Sequence, residues 1–298
     1  MTNRRIRLAL AALVLPLGVG AASCKGGLTD SPTTTTVTVD TMVVIEGRPL
    51  RRRNGRLRRA RSRRGHLQLT DSHALKLAPD VRQVLADHWR EQGELEHASV
   101  IAFQDLAYRL AMVDAPDDLL RRSLHAADQE ADHARRCFDL AGRYLGASLR
   151  TGRLRRPVRL HRSRTTELVR LAEEALRDGV LNEGYAAWLA EQRLHRARDR
   201  RVVETLTVIA RDEAEHAALA AAVLAWCFAE GGPAVGAAVQ QAANKLPSRV
   251  MSRPMALAVD ARILADHGVC EPDHAGAGFS AVLRDTLALV PDFVHAAA

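Results

Sequence analysis

Two short stretches, Gln129-Glu130-Ala131-Asp132-His133 and Asp212-Glu213-Ala214-Glu215-His216, constrain this chain more than any other feature, because each sets a glutamate three residues before a histidine. On an α-helix positions i and i+3 share a face, so Glu130 with His133, and Glu213 with His216, each aim a carboxylate and an imidazole at one point. Two such helices, with one glutamate from each of two more, make the donor set of a dinuclear metal site between four helices. Glu96 and Glu183 fill the two remaining places. The motif alone says little, since Glu94 to His97 and Glu271 to His274 match it as well. Depth along the helices separates them. With turns near Asp114 and Arg198, Glu96 lies about 18 residues before the first turn and Glu130 and His133 about 16 and 19 after it, which at ~1.5 Å per residue is one level. The same rise levels Glu183, about 15 residues before the second turn, with Glu213 and His216, about 15 and 18 after it.

The chain has 298 residues, of which 47% are hydrophobic and only 4% aromatic. Abundant Ala and Leu favour an all-α fold with a sizeable core, and no strand-period region follows residue 75. A first helix is predicted from Pro79 to Met112, with the stripe Trp89, Gly93, Glu96, Val100, Phe103, Ala107, Leu110. A second runs from Pro116 to Tyr144, closes on Gly146, and turns Leu119, Ser123, Ala126, Glu130, His133 and Cys137 inward. The polar connection from Gly146 to Arg164 can span about 60 Å extended, against roughly 45 Å for a 30-residue helix. The third helix, Thr165 to Ala197, can therefore run parallel to the second, with Leu176, Val180, Glu183, Ala187, Ala190 and Leu194 on one face. The fourth, Arg200 to Glu230, turns Leu206, Ile209, Glu213, His216, Ala220 and Cys227 inward, and Gly231-Gly232-Pro233 ends it. Residues 231–298 are expected to form a C-terminal extension of two or three shorter helices packed on residues 76–230.

Met1 to Ser23 reads as a signal peptide: Arg4, Arg5 and Arg7 precede an apolar run, Leu8 to Ala22, that is too short and proline-interrupted for a membrane span. Its end, Ala21-Ala22-Ser23-Cys24, resembles the processing site of bacterial lipoproteins, although Ala21 stands where those usually carry Leu. Cys24 is thus the expected lipidated N-terminus and the bacterial cell envelope the expected location. Ordinary cleavage near Ser23, leaving a free thiol, is the alternative. Residues 24–75 are expected to form a flexible tether, rich in Gly, Ser, Pro and Thr as far as Thr36, with Val37 to Ile45 suited to a short strand.

Arg48 to His66 then holds ten arginines and Arg150 to Arg164 seven more; without those 17 the formal charge of +8 becomes −9. The basicity therefore belongs to two segments, read as solvated loops that meet anionic lipid or lipopolysaccharide. Nucleic acid is not an expected partner, because the chain carries an export signal and lacks interleaved aromatics.

The stretches ELEHASVIAF, AADQEADHARRCFDLAGRY, LRDGVLNEGYAAWLAEQ and IARDEAEHAALA resemble the ligand helices of the ferritin-like superfamily, and within it the ferritin-like domains of predicted bacterial lipoproteins. The resemblance covers roughly residues 79–230. It implies an antiparallel four-helix bundle with a long crossover between helices 2 and 3. It also implies a dimetal site on Glu96, Glu130, His133, Glu183, Glu213 and His216. Relatives of this kind often carry Asp directly before the Glu of each Glu-x-x-His, where it hydrogen-bonds a ligand histidine. Asp212 matches that place and Gln129 departs from it, which unbalances the two metal positions.

Buried carboxylates left unpaired cost on the order of several kcal/mol each, and two divalent ions would supply +4 against the −4 of four glutamates. Oxygen-rich ligation with one histidine per metal suits two iron ions, with manganese the alternative. Beyond Cys24 only Cys137, Cys227 and Cys270 remain, without a Cys-x-x-Cys pair, so the rubredoxin module of classical rubrerythrins is absent. Cys137, one turn beyond His133, is expected to be a small core residue.

Three functions follow. The first is a di-iron oxidoreductase that reduces a small oxidant, peroxide or oxygen, as Fe(II) is oxidised. The second is ferroxidase or metal storage, for which the tether and C-terminal extension disfavour a ferritin-type cage. The third is a non-enzymatic scaffold in the envelope, with a dimer left open.

Overall fold

The chain is mostly helical, and its helices end where the sequence carries punctuation. The computed structural model describes residues 48–51, 57–68, 71, 74–153, 163–248, 259–269 and 272–295. The expected signal peptide, Cys24 and the segment Val37 to Ile45 lie outside the described residues.

Strand β1 (Arg63–Gln68) and one 3-10 turn (Ala74–Lys76) precede helix α1 (Pro79–Ala111), which opens on a proline with Asp80 in its first turn. Both suit a helix start, where the first N–H groups lack helical partners. Asp114, at φ 55°, reverses the chain into α2 (Asp117–Leu145), and Gly146 closes α2 at φ 67°, a left-handed conformation that costs glycine little. Strand β2 (Ala147–Arg150) follows directly. Then α3 (Arg164–Glu174), a π-helical segment (Ala175–Leu181) and α4 (Asn182–Arg196) make a third long rod. The Asp199 carboxylate caps α5 (Arg200–Ala243) by accepting hydrogen bonds from the N–H groups of Arg201 and Val202. Two further helices, α6 (Ala261–Asp266) and α7 (Pro272–His295), complete the described chain.

Contacts at the rod ends fix their directions. Arg109, at the end of α1, pairs with Glu167 and Glu174 of α3, and Arg164 donates to the Val113 carbonyl in the α1–α2 turn. The third rod therefore starts beside the start of α2 and runs parallel to it. At the other end Arg143 of α2 forks onto Asp199, at 2.7 and 2.8 Å, where α5 begins. One apolar cluster, around Phe103, Leu110, Leu171, Leu176 and Leu224, fills the first end, and another, around Leu85, Trp89, Leu140, Tyr144 and Leu206, fills the second. Helix α7 docks on α4 through an edge-to-face contact of Phe279 with Tyr185, ring centres 5.3 Å apart.

Two expectations need correction, and the predicted end of the fourth helix is met. The third helix is not uniform: its π segment widens the turn just before Glu183. The segment fits there because Gly179 carries no Cβ, and one built at that position would lie 2.2 Å from Ala220 on α5. Gly232, at φ 50° and ψ −138°, leaves the helical conformation and, with Pro233 after it, divides α5 into two helices where the sequence predicts the fourth to end; Val235 and Val239 beyond the break are buried in the same cluster as Leu224.

The second correction concerns the arginine segments, which are not solvated loops throughout. Leu50 packs on Ala98 and Ala102 of α1, and Arg48 and Ala60 are buried. Strands β1 and β2 pair antiparallel, with Arg63 opposite Arg150 and Arg64 opposite Leu149. The described part of residues 24–75 is therefore a packed arm. Leu50→Ala should cost about 2 kcal/mol, as large-to-small changes at buried sites do, and lower the melting temperature by about 4–8 °C. An unchanged thermal melt would return the arm to the status of a tether.

Candidate metal centre

The six predicted ligands lie between the two apolar clusters, and all are buried: Glu130, His133 and Glu183 are 0% exposed, Glu213 1%, His216 2% and Glu96 6%. They form two overlapping sets. One is Glu96, Glu130, His133 and Glu213; the other is Glu130, Glu183, Glu213 and His216. Within each set one donor atom per residue lies within 4.8 Å of all the others, so either set could hold a metal ion. Glu130 and Glu213 belong to both and stand between them, whereas Glu96 with His133, and Glu183 with His216, each serve one side.

The imidazoles are aimed by groups behind them. His133 Nδ1 faces the carboxylates of Glu213 at 3.6 Å and Glu130 at 3.8 Å, while its Nε2–H donates to Asp212 at 3.0 Å. His216 Nδ1 faces Glu130 at 3.5 Å and Glu213 at 3.9 Å, and its Nε2–H donates to the Gln129 side-chain oxygen at 3.0 Å. Each histidine is thus held by the residue preceding the glutamate of the opposite motif. Glu215 takes part from the exposed side. Its carboxylate can only accept, so Gln129 turns its amide N–H toward Glu215, at 3.1 Å, and its oxygen toward His216. In both histidines the outer nitrogen carries the proton, which frees Nδ1 as a donor to metal.

The charges are arranged as the burial demands. Desolvation, then the neighbouring carboxylates Glu96 and Glu213, raises Glu130 well above the usual glutamate range; desolvation, then Glu213, does the same to Glu183. Burial alone would lower His133, but its hydrogen bond to Asp212 and the nearby carboxylates of Glu213 and Glu96 lift it to about 10. His216 has no carboxylate behind it, and burial takes it down to about 4. Burial opposes ionisation of Glu213 too, yet the two histidines hold it below its ordinary value.

Three contributors escaped the sequence reading. Arg48 is 5% exposed and stacks its guanidinium over Phe103, 5.4 Å from the ring centre, and that ring meets His216 at 4.8 Å. Burial lowers the Arg48 pKa, and the charges of Glu174, Glu183 and Asp178 counter it. Asp178, in the π segment, accepts from Arg51 at 2.9 Å. An arginine run in an otherwise polar arm carries no local sign that one member is buried beside a ligand. Cys137 is buried as expected and lines a small cavity with Gln92, Arg193, Leu206, Glu96 and Glu213. Cys227, its thiol pushed up to about 12 by burial, lies in the other apolar cluster. Cys270 and the side chains of Glu271 and His274 lie outside the described residues.

A divalent cation fits this donor set. Both oxygens of Glu130 and of Glu183, Glu213 Oε2, and Nδ1 of His133 and His216 are buried without a hydrogen-bond partner among the described residues. Native proteins seldom leave such atoms unsatisfied, and here seven of them converge. All are oxygen or imidazole nitrogen, the donors suited to iron or manganese.

Without metal the raised groups must hold protons. A group raised in the folded state stabilises below its unfolded value and loses that contribution as pH climbs through its folded value. Glu130, Glu183 and His133 all act in this sense, whereas Glu213 and His216, both lowered, lose stability only toward acid. The metal-depleted protein should therefore melt at progressively lower temperature from about pH 6.5 to about 10, and the metal-loaded protein should not. Metal uptake should release at least about one proton per chain in weak buffer. Parallel melting curves and no proton release would remove the site.

No protein-family model, curated protein or solved structure matches this chain, so the chemistry of the centre is read from its own donors.

Proposed function

We propose that Glu96, Glu130, His133, Glu183, Glu213 and His216 hold two divalent ions, iron first and manganese as the alternative, in a ferritin-like antiparallel four-helix bundle, and that the loaded protein reduces peroxide or oxygen. The observation that carries this reading is the convergence of seven buried, unpartnered donor atoms on one small volume. When bound, the ferrous pair supplies the two electrons that peroxide needs to become water.

The protein's own groups do the rest. Glu130 and Glu213, common to both sets, would be shared by the two ions, with Glu96 and His133 holding one and Glu183 and His216 the other. Asp212 and Gln129 keep the imidazoles in register. The apolar clusters on both sides exclude bulk water, which strengthens every charge interaction at the centre. The small cavity that Gln92, Arg193 and Cys137 form against Glu96 and Glu213 lies beside the centre and is about the size of one water molecule, so a larger oxidant needs the lining side chains to move.

Anaerobic loading with Fe(II), followed by peroxide, should consume the oxidant and develop ferric absorption. Glu213→Ala removes a carboxylate shared by both sets and should cut bound iron at least about tenfold, because metal sites are sensitive even to their supporting groups. Glu204→Ala, on the exposed face of the same helix, should leave it unchanged. Equal iron in both variants would sink the reading, and iron bound without peroxide turnover would leave storage in its place.

The cellular setting is a second proposal, supported by the basic, apolar and small-residue sequence that leads to Cys24: the chain is exported and lipidated there. A fatty-acid analogue fed to cells should label the wild type and not Cys24→Ser. Equal labelling would exclude the anchor.

A further inference from the structure

The third Glu-x-x-His, Glu94 to His97, binds no metal in the reading above, yet both of its side chains are used. Glu94 Oε1 accepts from the backbone N–H of Ser62 at 2.8 Å and from its hydroxyl at 2.7 Å, and the Glu94 carbonyl accepts from the N–H of Ala60 at 3.2 Å. The His97 Nε2 meets the Gly152 carbonyl at 3.2 Å. One turn of α1 thereby mounts both strands of the ribbon, one through Ser62 and the other through Gly152. Glu91, a turn earlier, adds an ion pair to Arg59.

The mounting decides which way the ribbon faces. Ala60 is buried and Ser62 is turned onto Glu94, while the side chains of Arg61 and Arg63 are exposed. Arg150, directly opposite Arg63, projects on that same outward side. The backbone of Arg61 lies against Gly152, continuing the same register, with a Cβ at Gly152 falling 1.7 Å from the Arg61 carbonyl. Arg61, Arg63 and Arg150 are all exposed. Among the described residues none of the three has an acidic partner. Like charges directly opposite each other on a strand pair oppose folding. This ribbon keeps two face to face with a third beside them, drawn from segments nearly ninety residues apart.

We infer that this outward face, Arg61, Arg63 and Arg150, is a built binding surface for the phosphates of an anionic lipid bilayer. Guanidinium groups bind phosphate through two parallel N–H donors, and three on one flat, rigid face match an array of headgroups better than one enclosed ion. The arm that carries the ribbon leads back to the apolar run Leu8 to Ala22 and to Cys24, so the surface lies on the part of the chain that would approach a membrane. The inference does not depend on the metal centre.

The test uses the full chain and vesicles of phosphatidylcholine alone or mixed with phosphatidylglycerol, and reads the ratio of binding to the two, which cancels whatever the apolar N-terminus contributes. Wild type should favour the anionic vesicles and lose that preference at high salt. The triple variant R61Q/R63Q/R150Q should lower the ratio roughly 100-fold, since each basic side chain near an anionic surface contributes about a factor of five. The variant R121Q/R200Q/R201Q loses the same charge from exposed positions elsewhere and should keep the ratio. Equal loss in both variants would reduce the effect to net charge and overturn the inference. So would a ratio near one in the wild type, competition by millimolar inorganic phosphate, or tighter binding to duplex DNA than to the anionic vesicles.

Discussion

Four carboxylates held in an apolar interior set the terms for the rest of this structure. Glu96, Glu130, Glu183 and Glu213 come from four different helices and meet where water is excluded on both sides by packed Leu, Phe and Trp side chains. Protons or cations would relieve their repulsion, because among the described residues no donor reaches the unpartnered oxygens of Glu130, Glu183 and Glu213. Such a point cannot be assembled by one helix. It requires the tight reversal at Asp114, the stop at Gly146 and the Asp199 cap, each of which fixes how far a ligand lies from the end of its rod. The Arg109 and Arg143 ion-pair clusters at opposite ends hold that depth in place.

What was legible in the sequence was what helical periodicity encodes. The i, i+3 pairs, the apolar stripe around each lone glutamate and the counting from the turns located all six buried residues. What was not legible depends on partners far away in the chain. Arg51 and Asp178 are 127 residues apart, and nothing near either reveals the pair. The arginine run reads as solvated because composition registers charge and not the Ser62 and Ala60 backbone groups that Glu94 receives. The π segment is silent for a different reason. Leu176, Val180 and Glu183 remain on the buried face whether the turn between them is regular or widened, so the apolar pattern is the same in both cases.

The decoy motif makes the same point from the other direction. Glu94 and His97 have the spacing of a metal pair, but they lie on the side of α1 that faces the ribbon, Glu94 about 160° and His97 about 100° in helical rotation from Glu96. Spacing therefore identifies which two residues act together and leaves open what they act on. The direction of the helix face decides that, and it is a property of the packed molecule.

The two Glu-x-x-His motifs also support each other, through residues that are not ligands. Asp212 of α5 receives the His133 N–H from α2, and Gln129 of α2 receives the His216 N–H from α5, so neither helix can rotate or slide without misaiming the histidine of the other. The exchange is reciprocal in geometry and unequal in charge. A carboxylate behind His133 makes that imidazole the stronger base, whereas the amide behind His216 offers only a dipole, and the buried Arg48 lies on that side, facing Glu183. Arg211 pairs with Asp212 but is two-thirds exposed, so solvent screens much of its effect, while Arg48 acts through a dry interior. Two donor sets of the same composition thus face different fields, and the difference is written at the first position of two parallel pentapeptides: Asp212 in the second, Gln129 in the first.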